Sequence, residues 1–568
     1  MKNVVFTLII ISHFCHASTI DTISINSNQF FKDVNKALLL TNLDVDLVNS
    51  TWSNTKTHIL LDSLYHFSQP TATLELGLKY EVINTISNTA YHLYFTEFPI
   101  ISINTDNEIV DEPDVLASFK MIEANQNYLE SFIGIQYRGS WSQTLAKKSM
   151  EIEFWTDASG NDTQNYTLLD LTNDDDWNLQ AMYNEPLRIR SKTNNDLWRM
   201  INTLHYQEQE PTAINGIRMR YIELFINNEY RGLYSLGEKV NRKQLKLKKH
   251  NGSIRGELYK GVGWGASTFA RVPPYDNNSS IWSGFEYKHP KEEVDWSNIY
   301  DLVSFVINST DSEFLMEYNN RFHMDNLVDY YIFLNLIRAS DNTGKNLYIA
   351  KQNTDDKYFY VPWDLDGTFG ILWDGSNDNI TDDLLFNGLY NRLMEDCRPN
   401  GFRDKLKEKW MELRTDIVTH DALLSSFLSN YNSLLHNGIY ERESMAWPEY
   451  TMDSEGINYL STWISNRIAY LDVKFNESCS SLSTKNDLVS TNPFQIYPNP
   501  TMDLVHFVSD PMTSYPITIY NVYGQKVKEE IINSNNTSIS LKHLNKGVYF
   551  IHVKIIDAIH TYKIILSE

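Results

Sequence analysis

The chain is 568 residues long, 42% hydrophobic and 21% charged, which excludes a disordered or fibrous protein and allows two to four domains with sizeable cores. Its formal net charge of −23 works against partners that are themselves polyanions, so nucleic acid and anionic membrane surfaces are poor candidates. Three cysteines without metal-ligand spacing give no zinc framework.

The opening stretch "MKNVVFTLIIISHFCHAS" sets Lys2 ahead of an apolar run, with Cys15 and Ala17 at the −3 and −1 positions of a cut after Ala17. Residues 1–17 therefore read as a secretory signal peptide, too short to span a membrane. A lipoprotein reading of Cys15 meets bulky His13 and Phe14 where small residues are needed. No other apolar run reaches the roughly 18 residues a membrane span needs. After cleavage Cys397 and Cys479 remain, and an even pair outside the cytoplasm permits one disulfide.

Residues 18–94 form a β-rich leader: "THILLDSL", "ATLELGLKYEVI" and "AYHLYFTEFPIISINT" alternate apolar and polar positions between turn clusters, as in a sandwich-like or mixed β unit. Strands continue in "SFIGIQYRGSW" and "SMEIEFW", helical spacing appears over 186–204, and strands return over 218–240 with a hairpin turn in "NNEYRG". The basic run at 241–255 reads as a solvated loop or strand face, and "KGVGWG" (260–265) as a glycine turn rather than a phosphate cradle. Residues 294–340 are expected to be helical, with Asp325 as N-cap and Val328, Ile332 and Leu336 at four-residue spacing. More helix is expected over 381–437 and 455–475. Residues 476–492 are a polar linker, and 493–568 hold six or seven short strands, a small β-sandwich. The fold class is α+β with an all-β C-terminal domain.

Acids gather around one expected hairpin, "NLYIA" and "YFYVPW" joined by "NTDD". A turn centred near residue 355 sets Asn346 opposite Asp364, so an amide oxygen and a carboxylate converge about 5 Å apart at its mouth. Asp366 lies two residues on, and Asp341 stands at the end of the preceding helix. D-x-x-x-x-N and "DLDG" are each ordinary turn sequences alone, and "DLDG" also suits a calcium loop. Their placement across one hairpin favours a site for Mg²⁺ and phosphate, because Mg²⁺ takes a few hard oxygens and leaves room for phosphate. A cation is offered by Lys147 or Lys148, of which only one can face a given side of a strand.

The blocks "RGSWSQTLAKKSMEIEF", "DDDWNLQAMYNEPLRIRSK", "YIELFINNEYRGLYSLGEKV", "VDYYIFLNLIRASDNTGKNLYIA" and "VPWDLDGTFG" together resemble the CotH-type (spore-coat protein H-like) kinase family over residues 95–475. The resemblance implies an atypical protein-kinase-like domain that transfers phosphate from Mg-ATP to Ser or Thr of a secreted or coat protein, Mn²⁺ being an alternative metal. By it Lys148 would contact the ATP phosphates, Glu238 would orient Lys148, and Asp341 would be the general base. Asn346 and Asp364 would bind the metal with Asp366 as a further ligand, and Arg190 falls among the nucleotide-side residues with its role open. The β leader and the long interval from Asn346 to Asp364 depart from an ordinary kinase. "NPFQIYPNPTMDLVHF", "ITIYNVYGQKV", "LNKGVYFIHV" and "KIILSE" resemble the C-terminal sorting domain of type IX secretion, which implies export to the surface or medium by that machinery. Two other functions stay open: an adhesin or glycan-binding protein on a kinase-derived scaffold, and an enzyme transferring AMP or glutamate.

Overall fold

The structure, a computed structural model, describes residues 22–477 apart from 26–28, 53 and 124–126, and residues 495–566 apart from 498, 500, 509–513, 534–536 and 556–557. The expected signal peptide, Cys479 and all of the linker beyond residue 477 lie outside the described residues. The chain divides into two compact units at Cys479/Ser480.

In the first unit the leader makes one seven-stranded mixed sheet rather than a sandwich. The strands run, edge to edge, Thr22–Ser24, Lys56–Leu60, Leu64–Thr71, Tyr80–Asn84, Ala90–Phe95, Leu38–Thr41 and Phe30–Asp33. Their inward side chains, Ile59, Tyr65, Val82 and Leu93 among them, pack with Val45 and Val48 of a short helix capped by Asp44. Polar contacts tie the sheet to the remainder of the unit: Lys36 pairs with Glu229 at 2.9 Å, and the Asn437 side chain accepts from the Glu97 amide at 2.8 Å.

Seven further strands between Ile100 and Gly237 close into a barrel. Alternation explains its interior: in "MEIEFW" Met150, Ile152 and Phe154 are buried while Glu151 and Glu153 are half-exposed. The expected hairpin turn is Asn227–Asn228, both left-handed with φ near 50° and 59°, a conformation asparagine tolerates. A second, five-stranded sheet has the order Ile281–Trp282, Phe285–His289, Glu257–Val262, Lys345–Lys351, Tyr358–Pro362. "KGVGWG" is therefore not simply a turn, because Lys260 to Val262 continue the central strand. A Cβ on Gly261 would stand 2.5 Å from the Gly344 carbonyl, so glycine lets that strand touch the loop after Asp341.

Helices fill the rest of the unit. In Met324–Ile337 every residue from Asn326 onward is buried, so Val328, Ile332 and Leu336 mark one face of a helix with no solvent face. His323 is its N-cap residue; Asp325 sits in the first turn, where a carboxylate meets the helix dipole. Arg190–Ile201, Phe402–Leu413 and Gly456–Asn476 pack against it, and His420–His436 and Ile439–Ala446 join the same apolar cluster. Cys397 is disulfide-bonded.

The second unit is all-β, with sheets of three and four strands enclosing Val505, Phe507, Ile517, Ile519, Ile551 and Ile564. Among the described residues no helix is long and apolar enough to cross a membrane.

Candidate functional site

The buried helix Met324–Ile337 stops at Arg338, whose left-handed backbone (φ 50°) turns the chain into a short 3₁₀ segment, Ser340–Thr343, that carries Asp341. Asn342 is the joint of the site. Its amide donates to the carbonyls of Asn346 at 2.6 Å and Trp363 at 2.8 Å, while its own backbone carbonyl accepts from Tyr330 at 2.8 Å. The two strands of the hairpin are thus clasped at their open end. Their register sets Leu347 opposite Pro362 and Tyr348 opposite Val361, one residue off the expected pairing, so Asn346 meets Trp363 rather than Asp364. Asn346 and Asp364 both adopt left-handed backbone (φ 54° and 56°), which ends the ladder and the strict alternation of side chains. Both line one cleft with Asp341 and Asp366.

That cleft has a volume of about 530 Å³ and also receives Arg138, Lys260 and Lys345. Among the described residues none of these three cations has an ion-pair partner, although the chain is strongly acidic. Arg138 and Lys260 lie over Trp363, at 5.4 and 5.9 Å from the ring centroid. Trp141 and Trp373 meet edge to face at 4.7 Å and stay 40% and 49% exposed at the rim.

The acids differ in their surroundings. Burial pushes the Asp341 carboxyl above its ordinary range; Lys345 opposes the shift and Asp364 adds to it. Asp366 is pushed up to about 7, by burial first and then by the charge of Asp364, although Asn184 donates to it at 3.1 Å and the Gly367 amide at 2.8 Å. The side chains of Asp341, Asn346 and Asp364 make no hydrogen bond to protein among the described residues, which leaves their oxygens free for a ligand.

The other expected residues fall differently. Lys148 points its ammonium over the Tyr137 ring at 4.9 Å and does not line the cleft. Glu238 does not reach Lys148: Arg218 holds its carboxylate in a fork, and the backbone and hydroxyl of Thr172 donate to it at 2.7 Å. Arg190 is buried, pairs with Glu185 at 2.7 Å and donates to the Thr368 carbonyl at 3.1 Å, so it braces the turn after Asp366 from behind.

Lys147 is the lysine turned inward at the cleft wall. Its ammonium sits 2.8 Å from Glu443 on the helix Ile439–Ala446, and Glu443 also accepts from Arg188 at 3.1 Å and from the Leu233 amide at 2.6 Å. Burial pulls Lys147 down to about 8 against the attraction of Glu443. Arg138, Lys260, Lys345 and Glu443 were missed because no local spacing marks them; the glycines after Lys260 were the one legible signal.

A mixed α/β body whose cleft gathers carboxylates and unpaired cations, joined to an all-β unit, is the class these features define. The CotH kinase protein family model matches residues 135–471, more than half the chain, and the chain belongs to that family. The model of the secretion system C-terminal sorting domain matches residues 495–567, so the chain is a type IX secretion substrate delivered to the cell surface or outside. No curated protein matches the chain.

Proposed function

We propose that the protein is a secreted phosphotransferase that moves the γ-phosphate of ATP to a Ser or Thr hydroxyl of a secreted or surface protein. One observation carries this reading: the same cleft presents Asp341, Asn346, Asp364 and Asp366 beside Arg138, Lys260 and Lys345, none of these cations held in an ion pair among the described residues. Acids alone would bind a cation and bases alone an anion; both together suit a metal-bound polyphosphate.

The free oxygens of Asn346 and Asp364, with Asp366 already strained by its neighbour's charge, form a hard donor set that fits Mg²⁺ or Mn²⁺. Such an ion supplies charge neutralisation at phosphate oxygens. Arg138, Lys260 and Lys345 take the phosphate-facing role that the resemblance assigned to Lys148, and Lys147, locked on Glu443, holds the wall in place. Asp341 accepts the hydroxyl proton as the hydroxyl oxygen bonds to the γ-phosphorus and the bond to the bridging oxygen of ADP breaks. Its raised carboxyl suits a base that must take up that proton.

The test incubates mature protein with Mg- or Mn-ATP labelled at the γ- or the α-phosphate, together with exported proteins of the same cell. Covalent γ-label on an acceptor is the expected result. Covalent α-label would replace the proposal with nucleotidyl transfer, and no covalent label from either would leave a binding scaffold.

A further inference from the structure

At the turn end of the same hairpin, away from the cleft mouth, three side chains from separate segments converge. His205 lies just past the helix Arg190–Ile201, His323 is the N-cap residue of Met324–Ile337, and Asp356 lies in the hairpin turn. Nε2 of His205 is 2.8 Å from one carboxylate oxygen of Asp356, and Nε2 of His323 is 2.8 Å from the other. The two imidazoles stack with centroids 3.3 Å apart, and one ligand atom from each of the three residues lies within 4.8 Å of the other two. We propose that His205, His323 and Asp356 bind a divalent transition-metal ion of the zinc class, at a site separate from the phosphotransfer cleft.

The donor chemistry selects the ion. Two imidazole nitrogens and a carboxylate oxygen suit Zn²⁺ and its neighbours, whereas the all-oxygen cleft suits Mg²⁺. At bond lengths near 2.0–2.1 Å, tetrahedral ligand atoms stand roughly 3.3 Å apart, so on loading the short nitrogen–oxygen contacts open by about half an ångström. One imidazole also turns out of the stack, whose planes are 18° apart, to bring both in-plane Nε2 lone pairs onto the ion. The ion takes the place of the Nε2 protons, each imidazole carrying its proton on Nδ1 instead. The Asp356 carboxylate is already aimed by the Lys357 amide, which donates to it at 2.8 Å. A cleft of about 240 Å³, lined by His205 and His323 with Asn319, Asp325 and Asn326, leaves room for the water that completes the coordination. The three side chains remain 18–27% exposed, so the ion has a way in. Bound there, it ties the hairpin bearing Asn346 and Asp364 to the start of the helix that leads to Asp341.

Mature full-length protein is stripped with chelator, loaded with Zn²⁺ in excess Mg²⁺, passed through gel filtration and assayed for metal. One retained zinc per chain and a raised melting temperature are expected. His205→Ala and His323→Ala should each weaken retention at least about tenfold, while Asp364→Ala keeps the zinc. Wild-type protein that retains none, or equal retention in the histidine variants, would reduce the trio to a hydrogen-bonded staple. Should those variants fail to fold, X-ray absorption on Co²⁺-loaded wild type decides: two imidazole ligands uphold the site, and a shell of oxygens alone overturns it.

Discussion

Replacing Glu443 by Gln keeps the shape of the side chain and removes its charge. Lys147 and Arg188 then remain fully buried, at 2.8 and 3.1 Å from an amide instead of a carboxylate. Stranding buried charge in this way costs about 3–5 kcal/mol. Lys147→Met is the informative comparison, because Glu443 keeps Arg188 and the Leu233 amide at 2.6 Å when the lysine is gone. That change should cost below about 2 kcal/mol, the loss of a charge-assisted hydrogen bond partly offset by apolar packing. Adding Lys147→Met to Glu443→Gln removes one of the two stranded cations and should restore at least about 1 kcal/mol, a coupling that a double-mutant cycle isolates. Urea unfolding of the mature protein, monitored by tryptophan fluorescence, supplies the midpoints. If Lys147→Met costs as much as Glu443→Gln, or the double variant is no more stable than Glu443→Gln, the network does not centre on Glu443.

Asp364→Ala should abolish metal-dependent ATP binding, whereas Asp341→Asn should keep binding and lose transfer by about 10²–10⁴, as expected of a general base; calorimetric titration and single-turnover assays separate the two, and full transfer by Asp341→Asn would end the assignment. Asp329, 5% exposed and held mainly by burial at about 7 instead of 3.8, takes up its proton more readily folded than unfolded, so stability falls as pH rises through that interval. Asp329→Asn keeps the amide partner Asn202 and should gain on the wild type with rising pH, up to about 4 kcal/mol above pH 7; equal melting-temperature differences at pH 5 and pH 8 would contradict this. Deleting residues 491–568 should leave a folded first unit held in the periplasm, since the unit boundary precedes the cut; normal appearance in the medium would refute the role of the tail.

The parts of the site that were legible in the sequence are local ones. Asp341, Asn346, Asp364 and Asp366 stand within one helix-to-hairpin segment, where turn chemistry and strand period suffice to bring them together. The one-residue error in register came from centring the turn at residue 355, whereas the ladder pairs Lys351 with Tyr358 and so centres it between residues 354 and 355; the left-handed backbone at Asn346 and Asp364 was not legible either. Glu238 lay beyond sequence reasoning for a different reason. Its partner Arg218 immediately precedes the neighbouring strand Met219–Ile226, and that pairing claims the carboxylate before Lys148 can.

The lysine pair is the sharpest case. Strand parity carried back from Met150, which is buried in the barrel, puts Lys148 on the inward face and Lys147 on the outward one. Both lysines precede the strand, which begins only at Met150 after a 3₁₀ turn at Trp141–Thr144, and it is Lys147 that is fully buried while Lys148 stays half-buried over Tyr137. Parity has no force outside a strand. What decides between the two ammonium groups is a counter-charge, and only Lys147 reaches Glu443, 296 residues further along the chain. A buried lysine without that carboxylate would lose its charge or unfold its surroundings, so the choice is made by the packing of the helix Ile439–Ala446 against the barrel strand Glu229–Gly237. The cleft wall is therefore completed late in the chain, by a helix that contributes no side chain to the cleft itself.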